Sequence, residues 1–105
     1  MTDMEKRLLW IAMIERLQFM VLVNSVIYYR LNNNILSDHE FDTLSKSAAK
    51  HSAEKHSRWH YVMFDHDGNS GTEALLGRLH HADWVYLNEM AQLILSKKPE
   101  EAWEF

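Results

Sequence analysis

Tyr28-Tyr29-Arg30-Leu31-Asn32-Asn33-Asn34-Ile35-Leu36-Ser37-Asp38-His39-Glu40-Phe41-Asp42 joins the end of one apolar run to a sharply signalled helix start. The three asparagines end the first helix, because their side chains compete for the backbone's own hydrogen bonds. Ser37 offers a hydroxyl to the free N–H groups of the next helix. Glu40, three residues on, reaches back to Ser37. This capping box predicts a helix–turn–helix corner over residues 28–42. Asp38 and Asp42 lie four apart, so they stack on one face of the second helix. Two tyrosines therefore approach two carboxylates at a helix N-terminus. The cluster reads as a small polar binding site. It reads equally as an ordinary corner, packed by Tyr28, Phe41 and Leu44, with Asp38 favouring the helix dipole.

Outward from the corner the chain is helical. Hydrophobic residues make up 47% of the 105 positions, enough for one core, and three glycines with one proline leave few breaks. An all-β chain of this size needs many more turn residues. The expectation is an all-α domain of about three helices over residues 1–98, followed by a short acidic, aromatic tail at 99–105. Helix one spans Asp3 to Leu31, with Trp10, Met13, Ile14, Leu17, Val21 and Tyr28 along one broad stripe. Charge is scarce between Arg16 and Arg30, so most of its circumference needs cover. Two other helices leave part of it bare, and self-association through helix one is expected. Glu15 and Arg16 interrupt the apolar run, which reads as a buried helix rather than a span of about 20 apolar residues.

Helix two starts at Ser37 and reaches about Ser57 on a thin stripe of Phe41, Leu44 and Ala48. Arg58 to Phe64 is too short to classify by periodicity. Asp65 to Gly71 is the most turn-rich stretch and reads as a solvated connecting loop. Its Asp-x-Asp-x-Asn start falls short of a calcium loop, because Ser70 and Leu76 stand where that loop needs Gly and Glu. Helix three begins near Thr72, capped by Ser70 or Thr72, and ends near Lys97 before Pro99. Its buried face is read as Leu75, Leu76, Leu79, Ala82, Tyr86, Met90, Leu93 and Ile94, with a kink or split at Gly77 or Asp83.

Several function classes drop out. The formal net charge is -4 and no basic stripe appears, so no phosphate-backbone footprint is expected. Without cysteine there is no disulfide, thiolate nucleophile or cysteine zinc site, which fits a cytoplasmic setting. Asp3 and Glu5 precede Lys6 and Arg7, and no small-residue cleavage site follows, so the N-terminus does not read as a signal peptide. Protonating all seven histidines moves the net charge from -4 to +3, which makes surface charge pH-sensitive between about pH 5 and 7. On a continuous helix His56 and His60 could share a metal, with His51, Asp65 or His66 as a third ligand. No zinc pattern supports this, and no metal is expected. There is no Gly-rich phosphate loop and no nucleophile elbow, so no catalytic residue is assigned.

The aromatic pair, the polar loop and Ile-x-Ser-Asp-x-Glu-Phe-Asp-x-Leu, ending at Leu44, resemble the N-terminal (Ia) domain of bacterial NAD-dependent DNA ligases. The likeness covers about residues 25–56, with a weaker echo at Ala53-Glu54-Lys55-His56. In that family the small helical domain closes over the nicotinamide mononucleotide half of NAD while a separate domain carries out adenylation. The resemblance implies that Tyr28, Tyr29, Asp38 and Asp42 bind NAD or nicotinamide mononucleotide. An aromatic face can stack on the cationic nicotinamide ring. Carboxylates accept hydrogen bonds from a carboxamide or from ribose hydroxyls. Phe41 stands where the family has Tyr, and Asn32 where it usually has Asp. The chain has no adenylation lysine in a Lys-x-Asp-Gly context, so it does not seal DNA by itself. The other expectation is a protein-interaction module, for example a phage or mobile-element factor that binds and modulates a host protein. Its partners would be another protein or a second copy, with no direct nucleic acid and no membrane.

Overall fold

The computed structural model describes residues 1–69 and 71–97. Among them the fold is all-α: α1 (Asp3–Tyr29), α2 (Asp38–Ala49), α3 (His60–Met63), α4 (Glu73–Leu76) and α5 (His81–Leu95). The 99–105 tail and the Ser70 cap lie outside the described residues.

α1 is the axis. It begins with a capping box like the one read at Ser37. The Glu5 N–H donates to the Thr2 hydroxyl at 3.1 Å, and the Thr2 N–H donates to the Glu5 carboxylate at 3.0 Å. From Ile14 to Ile27 the helix is almost enclosed, with Val21, Leu22, Val23, Val26 and Ile27 fully buried. α2, α4 and α5 all pack against it, and α3 packs on α4. Before Ile14 the same helix is bare on nearly every side. The projecting turns help to give a long dimension of 42 Å against 29 and 28 Å. Enclosure of helix one thus holds for its second half and fails for its first. By length and composition α1 could cross a membrane, yet 56% of its most apolar window is buried inside the fold.

The corner forms where it was read, with α1 stopping at Tyr29 rather than Leu31. The Arg30 and Leu31 N–H groups both donate to the Val26 carbonyl, and the Asn33 N–H to that of Ile27. Asn32 adopts φ 51°, a left-handed conformation that asparagine tolerates better than most side chains. α2 then starts on its box: the Glu40 N–H donates to the Ser37 hydroxyl at 3.1 Å and the Ser37 N–H to the Glu40 carboxylate at 2.9 Å.

Two helix extents need correction. α2 ends at Ala49, not near Ser57. After Ala48 its stripe has no apolar anchor, and residues 50–59 run as successive turns closed by i→i−3 bonds. The expected third helix is two. α4 ends at Leu76, with Gly77 as its cap, and α5 starts after His80. This break, expected at Gly77 or Asp83, falls at Gly77 and changes the phase of everything after it. Leu75 and Leu76 are buried as read, but the inner face of α5 is Leu87, Ala91 and Ile94. Ala82, Tyr86 and Leu93, placed inside by one continuous helix, are exposed.

The loop read as solvated over 65–71 is exposed at Asp65, Asp67, Asn69 and Gly71 but is also docked at two points. His66 and Gly68 are buried against α2. Arg78 anchors Asp65 with two nitrogens at 2.6 and 3.1 Å and also donates to the Val62 carbonyl. That pairing holds the Asp65 carboxyl below its usual range.

Candidate functional site

The corner, the end of α1 and the docked loop enclose a cleft of about 300 Å³. α1 contributes Asn24, Tyr28 and Tyr29, and the corner contributes Asn34, Ile35 and Leu36. α2 adds Asp38, Phe41, Asp42 and Ser45, and the loop closes the far wall with Gly68, Asn69, Gly71 and Thr72. All four residues singled out for ligand contact, Tyr28, Tyr29, Asp38 and Asp42, therefore line one cavity.

Each wall has a local cause. Tyr28 and Tyr29 meet edge to face, with centroids 4.9 Å apart and planes at 83°. Tyr28 remains 54% exposed, so its ring can take a stacking partner. The Asp38 and Asp42 spacing sets both carboxylates one turn apart on α2. Asp42 is paired with Lys46 at 3.1 Å on the exposed side of the helix. The described lining holds two carboxylates and no Lys, Arg or His. Its charge is thus unfavourable to free phosphate and favourable to a cation or a neutral donor.

Thr72 and Gly68 fix the loop wall; the sequence marked Thr72 only as a helix cap and Gly68 only as part of a turn-rich loop. The Ser25 hydroxyl donates to the Val21 carbonyl at 2.7 Å. Its 2.5 Å contact with the Thr72 hydroxyl must therefore be donated by Thr72. That hydroxyl is spent on α1 and does not cap α4. Gly68 has φ 79°, and a Cβ there would come within 3.1 Å of the Lys46 Cα and 3.2 Å of the Ala49 Cβ. Only glycine lets the loop sit this close to α2. The sequence signals were the turn-rich 65–71 stretch and the polar Asn24-Ser25 pair inside an apolar helix.

Ser45, at the cleft floor, lies 2.9 Å from the Nε2 of buried His66, and the same nitrogen lies 3.2 Å from the Ser45 carbonyl. The tautomer sets the direction: a protonated Nε2 donates to either oxygen, and an unprotonated one accepts from the Ser45 hydroxyl. The contact fastens the loop to α2.

A second polar cluster lies between α3 and α5. The Tyr61 hydroxyl donates to Asp83 at 2.6 Å, and Arg58 donates to the same carboxylate at 2.8 Å. Tyr61, with Arg58 next, holds the Asp83 carboxyl below its ordinary range. Burial, then Asp83, raises the Tyr61 hydroxyl. Arg58 also lies over the rings of Trp59 and Tyr86, at 4.5 and 4.7 Å. His80 stacks on Tyr61 at 4.2 Å. These contacts tie α5 to the 58–61 segment. The continuous helix on which His56 and His60 were to share a metal is absent. No cluster of three potential metal-ligating side chains occurs among the described residues.

Comparison of the chain with family models, curated proteins and solved structures gives no match.

Proposed function

We propose that the corner cleft is a non-catalytic binding site for a nicotinamide nucleoside or nucleotide, the ligand class implied by the resemblance to the ligase N-terminal domain. One observation carries the reading: Tyr28, Tyr29, Asp38 and Asp42 line a single cavity. Its size is at the lower end of small-molecule sites, which span about 300–1,000 Å³. It suits one nucleoside-sized half of NAD rather than the whole dinucleotide. Tyr28 offers an exposed ring to the positively charged nicotinamide. Asp38 and Asp42 accept from the carboxamide or the ribose hydroxyls. Calorimetric titration with NAD, nicotinamide mononucleotide and nicotinamide riboside tests this. Saturable heat with the riboside or mononucleotide, lost in the Asp38→Ala/Asp42→Ala variant, is the expected result. No heat at millimolar ligand sinks the reading.

The protein-interaction reading is favoured by a different observation, the apolar first turns of α1. Leu8 is 60% exposed and Leu9 58%, a patch of the kind that marks association surfaces. In this reading the module acts by binding a protein, and sedimentation with pull-down separates self-association from capture of another chain.

A further inference from the structure

The walls of the corner cleft bear on which part of a nucleotide it takes. Its charged lining is Asp38 and Asp42, with no Lys, Arg or His among the described residues. Resting on the reading of the cleft as a nicotinamide site, we propose that its ligand is the phosphate-free, cationic N-ribosyl pyridinium nucleoside. A 5′-phosphate on that nucleoside is selected against.

A phosphate is held by cations or by unspent N–H groups. The cations nearby already have carboxylate partners. Lys46 lies outside the lining and pairs with Asp42 at 3.1 Å. Arg30 follows Tyr29 in the chain but pairs with Glu73 at 3.0 Å. A phosphate that drew either one over would leave a bare carboxylate in its place, so the exchange gains little. The backbone helps no more. α2 starts at the cleft, where Asp38 is its first residue, and a helix N-terminus ordinarily attracts anions. Here the capping box answers it from within the chain. The Glu40 N–H goes to the Ser37 hydroxyl, and the Ser37 N–H to the Glu40 carboxylate, which adds a negative charge at the helix start. The Phe41 N–H goes to the Ser37 carbonyl. On the other walls, the Asn34 N–H donates to the Asn33 side chain and the Asn69 N–H to Asp67, each at 2.8 Å.

The same features favour the pyridinium. The Tyr28 ring is 54% exposed, and the negative face of an aromatic ring attracts a cation laid over it. Asp38 and Asp42 add Coulomb attraction for that cation, opposite in sign to what a phosphate meets. They also accept from the ribose hydroxyls, which a nucleoside keeps. Reduction of the ring to the uncharged dihydropyridine preserves the outline of the ligand and removes both attractions.

Calorimetric titration of the full chain with nicotinamide riboside, nicotinamide mononucleotide and dihydronicotinamide riboside tests the proposal. The riboside should bind about tenfold or more tighter than either of the others. Its lead over the mononucleotide should narrow in about 0.5 M sodium chloride, which screens charge beyond a few ångströms. It should narrow as well in Asp38→Asn and Asp42→Asn, which keep an acceptor oxygen and lose the charge. The salt series needs no variant and so stands even if a substitution impairs folding. A mononucleotide that binds as tightly as the riboside, or a lead that neither salt nor the variants change, overturns the selection and leaves the nicotinamide reading intact. A reduced riboside as tight as the oxidised one likewise overturns the preference for a cation. Heat from none of the three overturns both the selection and the reading beneath it.

Discussion

Ser37, Gly68 and Asp83 each decide a geometry larger than themselves. Ser37 fixes where α2 begins, and with it the directions of Asp38 and Asp42. Ser37→Ala leaves the Glu40 N–H without its acceptor and should cost about 1 kcal/mol, read from the urea midpoint at unchanged slope. Gly68 combines a positive φ with a close approach to Lys46. Gly68→Ala should therefore cost more than about 1 kcal/mol, although it reduces the freedom of the unfolded chain. A neutral result in the same unfolding experiment would show that the loop stands off α2. Asp83 predicts a pH dependence. Its carboxyl is held low by Tyr61 and Arg58, so the stabilisation is complete above the ordinary carboxylate pKa of about 3.9 and is lost as pH falls through the lowered value. Tyr61 acts in the other direction. Its raised hydroxyl contributes below about pH 10 and loses that contribution as pH climbs through the raised value. Asp83→Asn should flatten the acid limb of a plot of Tm against pH and only lessen the alkaline limb, where the burial of Tyr61 remains, and an acid limb parallel to the parent would refute the assignment.

At the scale of elements, legibility followed local chemistry. The corner could be read because its signals are short-range: asparagines that stop a helix, a serine and a glutamate that start one. The four cleft residues identified from sequence lie on the two helices that meet there. The loop wall was not legible, because nothing local says that Gly68 and Thr72 fold back onto α2 and α1. The length of α2 was overestimated for a related reason. Residues 50–57 are acceptable helix formers, but a helix this short persists only where an apolar face is buried. α5 shows how one break propagates. A continuous helix from Leu75 places Leu93 inside, whereas a restart after His80 places Leu87 there. Leu87 is fully buried and Leu93 is 46% exposed. Leu87→Ala should cost about 2–5 kcal/mol. Leu93→Ala should stay within about 0.5–1 kcal/mol. Equal losses on thermal unfolding would restore the single-helix phase.

For the whole molecule, the division of α1 into an enclosed half and a bare half implies two stabilities in one continuous helix. Amides from Val21 to Ile27 sit in the core that joins α1 to α2, α4 and α5, so they should exchange hydrogen only when the fold opens globally. Amides from Lys6 to Ala12 have the same helical hydrogen bonds but almost no tertiary cover, and an isolated helical end of this length is marginal in water. In dilute monomer they should exchange by local fraying, far faster than the core. Self-association through these turns would change only the second group. Raising the concentration should slow exchange from Lys6 to Ala12 while leaving Val21 to Ile27 at the global rate. The Leu8→Glu/Leu9→Glu variant should remove that concentration dependence without moving the core rates. If protection is instead uniform along α1 at every concentration, the helix opens as one cooperative unit and its first turns are covered within the monomer. The cleft sits at the opposite end of α1 from these turns. A ligand bound there should therefore protect the corner and the Gly68 loop and leave the exchange of the projecting turns unchanged.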